Sequence, residues 1–275
     1  MAAMRHNRTR RRGRSRFGFL LKVLCVLTVL VALTVGATVF FRVEQVVVSG
    51  NSRYTQEDVV AATGIQLGDN LYRMNKFQIN QEVRQALPYV NELNIVRKLP
   101  NTILITVTEW DAVAQILPTA EVITEVDEET GEEISVETAG EAWLISVGGK
   151  LLEKAPADSR AIEVSGLTAL IPRAGTPLAV SQEEQPKLDG LLGLLSALES
   201  GSLMDRVTWV RVEGTHIVMD YAGRFEAKLP LNGDFPYHLS VVETVIPQID
   251  DKHGPQSTGS MDLTQKDYQL VYSPD

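Results

Sequence analysis

The side chains that could do chemistry in this chain are few and widely spaced. His216, His238 and His253 are separated by 22 and 15 residues, so none pairs with another at the i+4 spacing of a helical metal site. His216 falls within a predicted strand, where a structural histidine is a simpler interpretation than a base or a ligand. The chain contains no H-E-x-x-H, G-x-S-x-G or S-x-x-K motif and no Gly-rich phosphate loop. The sequence therefore predicts no catalytic residue, no metal site and no cofactor.

Two acidic side chains, Asp220 and Glu226, are the candidates for a carboxylate pair acting on sugars. A glycosidase needs its two carboxyl groups about 5–10 Å apart in one cleft. Six residues of separation in the sequence cannot establish that distance. Exposed charges on two strands are the competing interpretation, and we expect this one to hold.

A dense acidic segment lies between residues 119 and 141. It contains no basic residue and nine acidic ones, which are Glu121, Glu125, Asp127, Glu128, Glu129, Glu132, Glu133, Glu137 and Glu141. Calcium binding would need the D-x-[DN]-x-[DN]-G order, which is absent. Apolar and polar residues alternate on both sides of Glu129-Thr130-Gly131-Glu132, which predicts a protruding hairpin; a disordered insert is the alternative.

Charge is distributed unevenly along the 275 residues, which carry a formal net charge of −9. Residues 1–41 contain seven Arg and one Lys with no acid, so the rest of the chain holds 18 basic and 35 acidic groups. An acidic surface repels phosphates, so nucleic-acid binding by this part is not expected. The single cysteine, Cys25, excludes an intramolecular disulfide.

The N-terminal region predicts a membrane anchor. Residues 23–41 form 19 consecutive positions without a formal charge, and a helix of that length is about 28 Å long, close to the thickness of the hydrocarbon core. A cleaved signal peptide has a shorter apolar region followed by an A-x-A site, and no convincing site follows here. We expect an uncleaved helix, preceded by a basic tail over residues 1–22.

Arginines before this helix predict its orientation. Positively charged residues that flank a membrane span remain cytoplasmic, so residues 42–275 should lie outside the cytoplasmic membrane. The side chains that should set this topology are Arg10, Arg11, Arg12, Arg14 and Arg16, together with Arg5 and Arg8.

The pattern over residues 42–111 predicts the order strand, helix, helix, strand, strand. Residues 43–48 alternate and are β-branched, which predicts the first strand. Thr55 and Asp58 have the spacing of a capping box, which predicts a short helix over residues 56–62.

A second helix should begin at Asn75, which can cap it. Three apolar residues at helical spacing predict its buried face, namely Phe77, Val83 and Leu87. Residues 90–97 and 102–109 then predict two strands joined by Lys98-Leu99-Pro100-Asn101, a hairpin connection.

Several short motifs in this region resemble a POTRA domain. They are Phe41-Arg42-Val43, Val46-Val47-Val48-Ser49-Gly50-Asn51, Gly64-x-x-x-Gly68-x-Asn70-Leu71, Leu87-Pro88-Tyr89-Val90 and Val96-Arg97-Lys98-Leu99-Pro100-Asn101-Thr102. The ending Ile105-Thr106-Val107-Thr108-Glu109 is similar to that of the FtsQ/DivIB cell-division type. This family has a short basic tail, one span, a POTRA domain and a second β-rich domain. Trp110-Asp111 departs from the Arg-x-Pro that is common in the family after the glutamate.

The remaining residues, 112–275, predict a β-rich domain with two helices. Ser181 and Glu184 have capping-box spacing, and a leucine stripe follows over Leu188, Leu191, Leu192, Leu195 and Leu198. Asp234 can cap the second helix. Strands are predicted over residues 112–117, 142–147, 150–152, 162–164, 207–212, 216–221, 225–229, 260–263 and 268–272. The resulting fold class is α+β.

The resemblance implies a non-enzymatic scaffold of the division machinery, located in the cytoplasmic membrane and enriched at the septum. It implies FtsL-type and FtsB/DivIC-type proteins as partners, and through them the septal wall synthase. A membrane-anchored wall hydrolase without a familiar motif and a POTRA protein of polypeptide export are the alternatives.

Two strands are the candidate partner sites. The family's partner contacts fall on its last strands, which points to Tyr268, Gln269, Leu270, Val271 and Tyr272 as an edge strand; packing of Tyr268, Leu270 and Tyr272 into the core is the alternative. The resemblance also implies that the POTRA domain recruits partners, through Val46, Val48 and Ser49 or through the face of residues 55–62. The alternative for the POTRA domain is a spacer between the membrane and the β-rich domain.

Overall fold

The computed structural model describes residues 16–117, 121–126, 133–138, 140–265 and 270–274. Its first element is helix α1, Arg16–Phe40. Within it, Gly18–Gly36 is long and apolar enough to cross a membrane, and none of that window is buried against the rest of the chain. The helix begins before residue 23 because Phe17–Leu21 extends the apolar stretch ahead of Lys22.

A three-stranded sheet and two helices follow α1, and we call residues 41–110 the small unit. The elements are β1 Gln45–Ser49, α2 Gln56–Thr63, α3 Lys76–Ala86, β2 Val90–Lys98 and β3 Thr102–Glu109. The sheet order is β1-β3-β2, with β1 parallel and β2 antiparallel to β3. The predicted order of strand, two helices and two strands is confirmed.

Local signals account for the two helices. Thr55 and Asp58 form a reciprocal capping box at the start of α2, and Gly64 ends that helix with a left-handed φ of 65°. The Asn75 side chain accepts hydrogen bonds from the backbone N–H groups of Phe77 and Gln78 at the start of α3. The caps define where the helices begin, and both helices pack on the sheet through Val59, Ile79 and Val83.

The second folded part, residues 112–274, is the large unit. Its strands are β4 Ala114–Ile116, β5 Glu121–Val126, β6 Glu133–Thr138, β7 Trp143–Ile145, β8 Leu151–Lys154, β9 Ile162–Ser165, β10 Trp209–Val212, β11 His216–Tyr221, β12 Phe225–Pro230, β13 Gly259–Asp262 and β14 Val271–Pro274. Its helices are α4 Gln185–Ser200 and α5 Phe235–His253, with a single 3₁₀ turn at Met204–Arg206.

Nine of these strands form one sheet in the order β14-β13-β12-β11-β10-β9-β4-β7-β8. Helices α4 and α5 pack on one face of this sheet, and their leucines share a core with alternate residues of the strands. Strands β5 and β6 pair with each other instead, from Glu121 opposite Thr138 to Val126 opposite Glu133. The acidic segment therefore contains a strand pair, as the hairpin interpretation predicted. The α+β class is confirmed.

Three details differ from the expectations. Phe77 is 72% exposed, because α3 turns Ile79 and Val83 toward the core instead. Helix α4 begins at Gln185 with a proline in its first turn, and Ser181 accepts from the Glu184 N–H in the turn before it. The last strand, predicted over residues 268–272, runs from Val271 to Pro274, and Tyr268 and Gln269 lie outside the described residues.

Candidate partner-binding strands and the junction between the units

Strand β14 lies at the outer edge of the nine-stranded sheet. It pairs only with β13, so its other side presents backbone groups without a ladder partner among the described residues. Val271 is 47% exposed, and Ser273 and Pro274 are also exposed. Proline is tolerated here because an edge strand does not need every N–H. The geometry suits the addition of a further strand.

The inner face of β14 is held by an aromatic contact. The Tyr272 ring packs edge-on against Phe225, at 6.2 Å between centroids, and against His253, at 5.4 Å. Its hydroxyl donates to the Thr258 carbonyl at 2.8 Å. Leu270 also packs against the core. The five predicted partner residues therefore do not share one face. Val271 faces outward and Leu270 and Tyr272 face inward. Tyr268 and Gln269 lie outside the described residues.

Strand β1 is an edge of the smaller sheet. Val46 and Val48 are partly buried and pack against the core of the small unit, so they are not free surface residues. Ser49 is exposed, and its hydroxyl lies 3.4 Å from that of Thr106. The Gln56 side chain of α2 donates to the Val46 carbonyl at 3.3 Å. This edge is therefore partly covered by its own helix, whereas no described strand pairs with the outer side of β14.

The face of residues 55–62 is the other small-unit candidate. Its exposed members are Thr55, Gln56, Glu57, Asp58 and Ala61. Thr55 and Asp58 are engaged in the capping box, so Glu57 and Ala61 are the more accessible side chains. Of the arginines predicted to set the topology, Arg16 is the first residue of α1 and the others lie outside the described residues.

The three histidines within the described residues do not converge. His216 Nε2 lies 2.9 Å from Glu213, His238 Nδ1 lies 2.6 Å from the Asp234 carbonyl oxygen, and His253 packs on Tyr272. Among the described residues no group of three His, Cys, Asp or Glu side chains could hold a metal ion.

Asp220 and Glu226 are placed directly opposite each other on β11 and β12. They line one open depression that also contains Trp209. Asp220 Oδ2 accepts from the Thr208 hydroxyl at 2.8 Å and from the Gly223 N–H at 3.2 Å, so this carboxylate organises the β11–β12 turn. No histidine of the described chain is hydrogen-bonded to the pair.

A packed junction joins the two units. It lies at the end of the large sheet that is opposite β14. Leu144 of β7 and Leu152 of β8 are buried with Tyr89 of the small unit, in a cluster separate from the two main cores. Their neighbours Ile145 and Leu151 point to the other face of the sheet, into the core under α4 and α5. Strands β7 and β8 carry apolar side chains on both faces because each face is covered by a different apolar cluster.

Lys150 crosses this junction. It is only 8% exposed, and its Nζ donates to the carbonyls of Arg84, at 3.1 Å, and Val90, at 3.0 Å. Burial, with a smaller contribution from the Arg84 guanidinium, lowers the pKa of Lys150 to about 8. The ammonium therefore ties the large unit to the backbone of α3 and β2.

A second polar contact lies beside it. The Arg53 guanidinium forms a 2.6 Å ion pair with Glu153 of β8 and lies 3.7 Å above the Tyr89 ring. The Tyr89 hydroxyl donates to the same Glu153 carboxylate at 2.6 Å. Burial and this carboxylate raise the pKa of Tyr89.

Glu109, the last residue of β3, positions the loop that presents Arg53. Its Oε2 accepts from the Ser52 hydroxyl, at 2.5 Å, and from the Ser52 and Arg53 N–H groups, at 3.1 and 2.9 Å. Burial by itself raises the pKa of Glu109, but these hydrogen bonds outweigh it and hold the pKa below its usual range. The glutamate that ends the FtsQ/DivIB-like motif is thus a positioning residue for the junction.

Residues 41–110 match the family model described as POTRA domain, FtsQ-type. The cell division protein FtsQ of Streptomyces venezuelae is 39% identical over 74 residues, which are 27% of this chain and 27% of that protein. DivIB of Geobacillus kaustophilus is 33% identical over 98 residues, 36% and 34% of the two chains. FtsQ of Streptomyces coelicolor is 30% identical over 116 residues, 40% and 44% of the two chains. The chain thus spans less than half the length of these relatives.

The small unit is therefore a POTRA domain, in which two helices pack on a three-stranded sheet next to an apolar helix. The named relatives are cell division proteins and are similar over 27–40% of this chain. The match and the relatives support the assignment of the chain to the FtsQ/DivIB family, as the motifs predicted.

The junction between the units is not predicted by any motif in the sequence. The sequence identifies Tyr89 only as part of a motif and Lys150 only as the first residue of a short predicted strand. One signal was available: Leu151 and Leu152 are adjacent apolar residues in a strand, and adjacent strand residues point to opposite faces. Both faces of β8 therefore had to be covered.

Proposed function

We propose that this chain is a single-pass scaffold of the bacterial division machinery. The basic tail lies in the cytoplasm, α1 crosses the membrane, and residues 42–111 and 112–275 form two domains outside it. In this role it gathers FtsL-type and FtsB/DivIC-type proteins at the septum and links them to the septal wall synthase. The apolar helix, the FtsQ-type POTRA domain and the relatives named as cell division proteins support this proposal.

The open edge of β14 is the observation that supports binding over chemistry. Strand β8 contacts the POTRA domain, and β14 lies at the far end of the same sheet. Nine strands at about 4.8 Å spacing separate the two edges by about 40 Å. A partner that adds a strand to β14 is therefore held well away from the POTRA domain.

This proposed role requires no catalytic group in the chain. The carboxylates of Asp220 and Glu226 are the nearest approach to a hydrolytic pair, and the hydrogen bonds of Asp220 give it a structural task in a turn. We therefore propose a non-enzymatic role and do not propose wall hydrolysis or polypeptide export.

Capture of an FtsB/DivIC-type partner by the full chain in detergent tests the proposed edge. Val271→Lys places a charge on the outward face of β14, where lysine disfavours strand addition. We expect partner capture to fall at least about tenfold, a loss of about 1.4 kcal/mol. The melting temperature should change little, since exposed substitutions typically cost about 0.5 kcal/mol or less.

Leu170→Lys is the matched control, because Leu170 is 46% exposed and Val271 is 47% exposed. Leu170 lies in the loop after β9, away from the edge. The proposed edge is wrong if the two variants bind the partner equally, whether both retain binding or both lose it.

A further inference from the structure

A loop of the POTRA domain is tied to the chain directly after α1. The Gly68 N–H donates to the Val43 carbonyl and the Val43 N–H to the Asp69 carbonyl, both at 2.8 Å. The Leu71 N–H donates to the Phe41 carbonyl at 3.0 Å. Residues 66–74, which we call the collar loop, are thus fixed beside the end of the helix.

Aromatic rings connect this loop to the helix. Phe40, the last residue of α1, packs edge-on against Phe41, and Phe41 packs edge-on against Tyr72, each at 5.2 Å between centroids. Tyr72 is 55% exposed and Leu67, at the other end of the loop, is 72% exposed. The collar loop therefore presents apolar and amphipathic side chains next to the apolar helix.

Two arginines accompany these side chains. Arg42 and Arg73 line an open cavity of about 490 Å³ with Gly68, Asp69, Asn70 and Met74. Within the described chain neither guanidinium forms an ion pair. The Asp69 carboxylate accepts a hydrogen bond from the Gln66 N–H at 2.9 Å, so it stabilises the collar loop internally. The cavity lining therefore carries two positive charges and one negative charge, a net balance that favours an anion.

The position of this cavity along the bilayer normal follows from the length of α1. A 25-residue helix is about 37 Å long, whereas the hydrocarbon core is about 30 Å thick and the bilayer with headgroups about 40–45 Å. Phe40 and the rings that follow it then fall at the level of the headgroups, where tyrosine is enriched.

We propose that the collar loop docks on anionic phospholipid headgroups, with Arg42 and Arg73 on a headgroup phosphate and with Tyr72 and Leu67 at the acyl boundary. This contact rests on the proposed membrane span. It gives the POTRA domain a fixed orientation on the outer face of the membrane, rather than free rotation about residue 41.

Amide hydrogen exchange of the full chain in nanodiscs tests this contact. Discs of phosphatidylglycerol are compared with discs of phosphatidylcholine. We expect the amides of residues 66–74 to exchange about tenfold more slowly in the anionic discs, since each arginine near an anionic surface adds a favourable attraction. Replacing Arg42 and Arg73 together by Gln should remove that difference.

The control variant replaces Arg160 and Arg173 by Gln, two exposed arginines of the large unit, and should keep the difference. Equal exchange of the loop in the two lipids, with α1 protected, would refute the docking alone. Rapid exchange of the α1 amides would refute the span as well. Protection of the loop by inorganic phosphate in phosphatidylcholine discs would show a site for free anions and overturn the lipid assignment.

Discussion

Lys150 illustrates how one buried charge can define a junction. Its ammonium donates to two backbone carbonyls, and both acceptors belong to residues of the POTRA domain. Removing the side chain would leave two carbonyls without their donor inside the contact. Such unsatisfied groups typically cost about 1–3 kcal/mol each.

The lowered pKa of Lys150 predicts a pH dependence of stability. The folded chain releases this proton near pH 8, whereas the unfolded chain keeps it to near the ordinary value of 10.5. Unfolding therefore takes up a proton between these values, and the free energy of unfolding rises with pH. We expect a gain of about 1 kcal/mol from about pH 7.5 to about pH 9 in chemical denaturation of the full chain.

Lys150→Met is the control for this prediction. It keeps a long unbranched side chain, one atom shorter than lysine, and lacks the titrating group, so its stability should lack that rise. The measurement stays below the ordinary tyrosine pKa of 10.0, because the raised pKa values of Tyr89 and Tyr221 add an opposite trend above it. A rise that persists in the variant would exclude Lys150 as its source.

Strand β14 depends on a single glycine in its neighbour. A Cβ at Gly259, which has a φ of 152°, would lie 2.3 Å from the Ser273 carbonyl oxygen. Only glycine lets the two strands approach so closely, so the edge exists because β13 begins with this residue.

Gly259→Ala should therefore release β14. We expect local destabilisation of about 2 kcal/mol or more, with faster amide exchange at residues 271–274 and loss of partner capture. Gly254→Ala is the control: its φ of 99° is also positive, but nothing lies within 4 Å of its added Cβ. Slow exchange at residues 271–274 in the Gly259 variant would contradict this account.

Local signals predicted the elements of the POTRA domain well and its long-range contacts poorly. Thr55, Asp58 and Gly64 define α2 through contacts within a few residues, so their pattern was sufficient. Phe77 was misplaced, because the helix phase is set by packing on the sheet and not by spacing alone. The acceptors of Lys150 are 66 and 60 residues away, and no local pattern encodes that distance.

The same limit applies to the candidate partner site. The sequence predicted an edge strand over residues 268–272, but which face of that strand is outward depends on register. Val271 opposite Asp262 sets that register, and Tyr272 then turns toward Phe225. The alternation of side chains along the last strand does not by itself show which of its two faces is buried.

At the scale of the molecule, the junction makes the POTRA domain and the large unit one body. Leu152 is 1% exposed and buried against Tyr89, while Lys150, Arg53 and Glu153 form the polar contacts around this cluster. We therefore expect the region outside the span to unfold in one cooperative calorimetric transition.

Leu152→Asp should split that transition into two, because it places a charge in the junction and leaves the core under α4 and α5 intact. Leu151→Asp, one residue earlier, points into that core and should unfold the large unit instead. The expected cost is about 3 kcal/mol or more in each case, from the burial of an unpaired charge. A single transition in the Leu152 variant, at the temperature of the unmodified chain, would contradict the coupling.

The parallel pairing of β1 with β3 has a mechanical consequence. A pull from the membrane acts on the N-terminal end of β1, and the opposing pull from the large unit acts on the C-terminal end of β3. Because the two strands run in the same direction, these ends lie at opposite ends of the ladder, from Gln45 opposite Thr102 to Ser49 opposite Thr106. The load then shears all five residue pairs together rather than unzipping them one at a time. Under tension along the chain, the POTRA domain should therefore yield slowly, since the strand pair carries the load in series with α1.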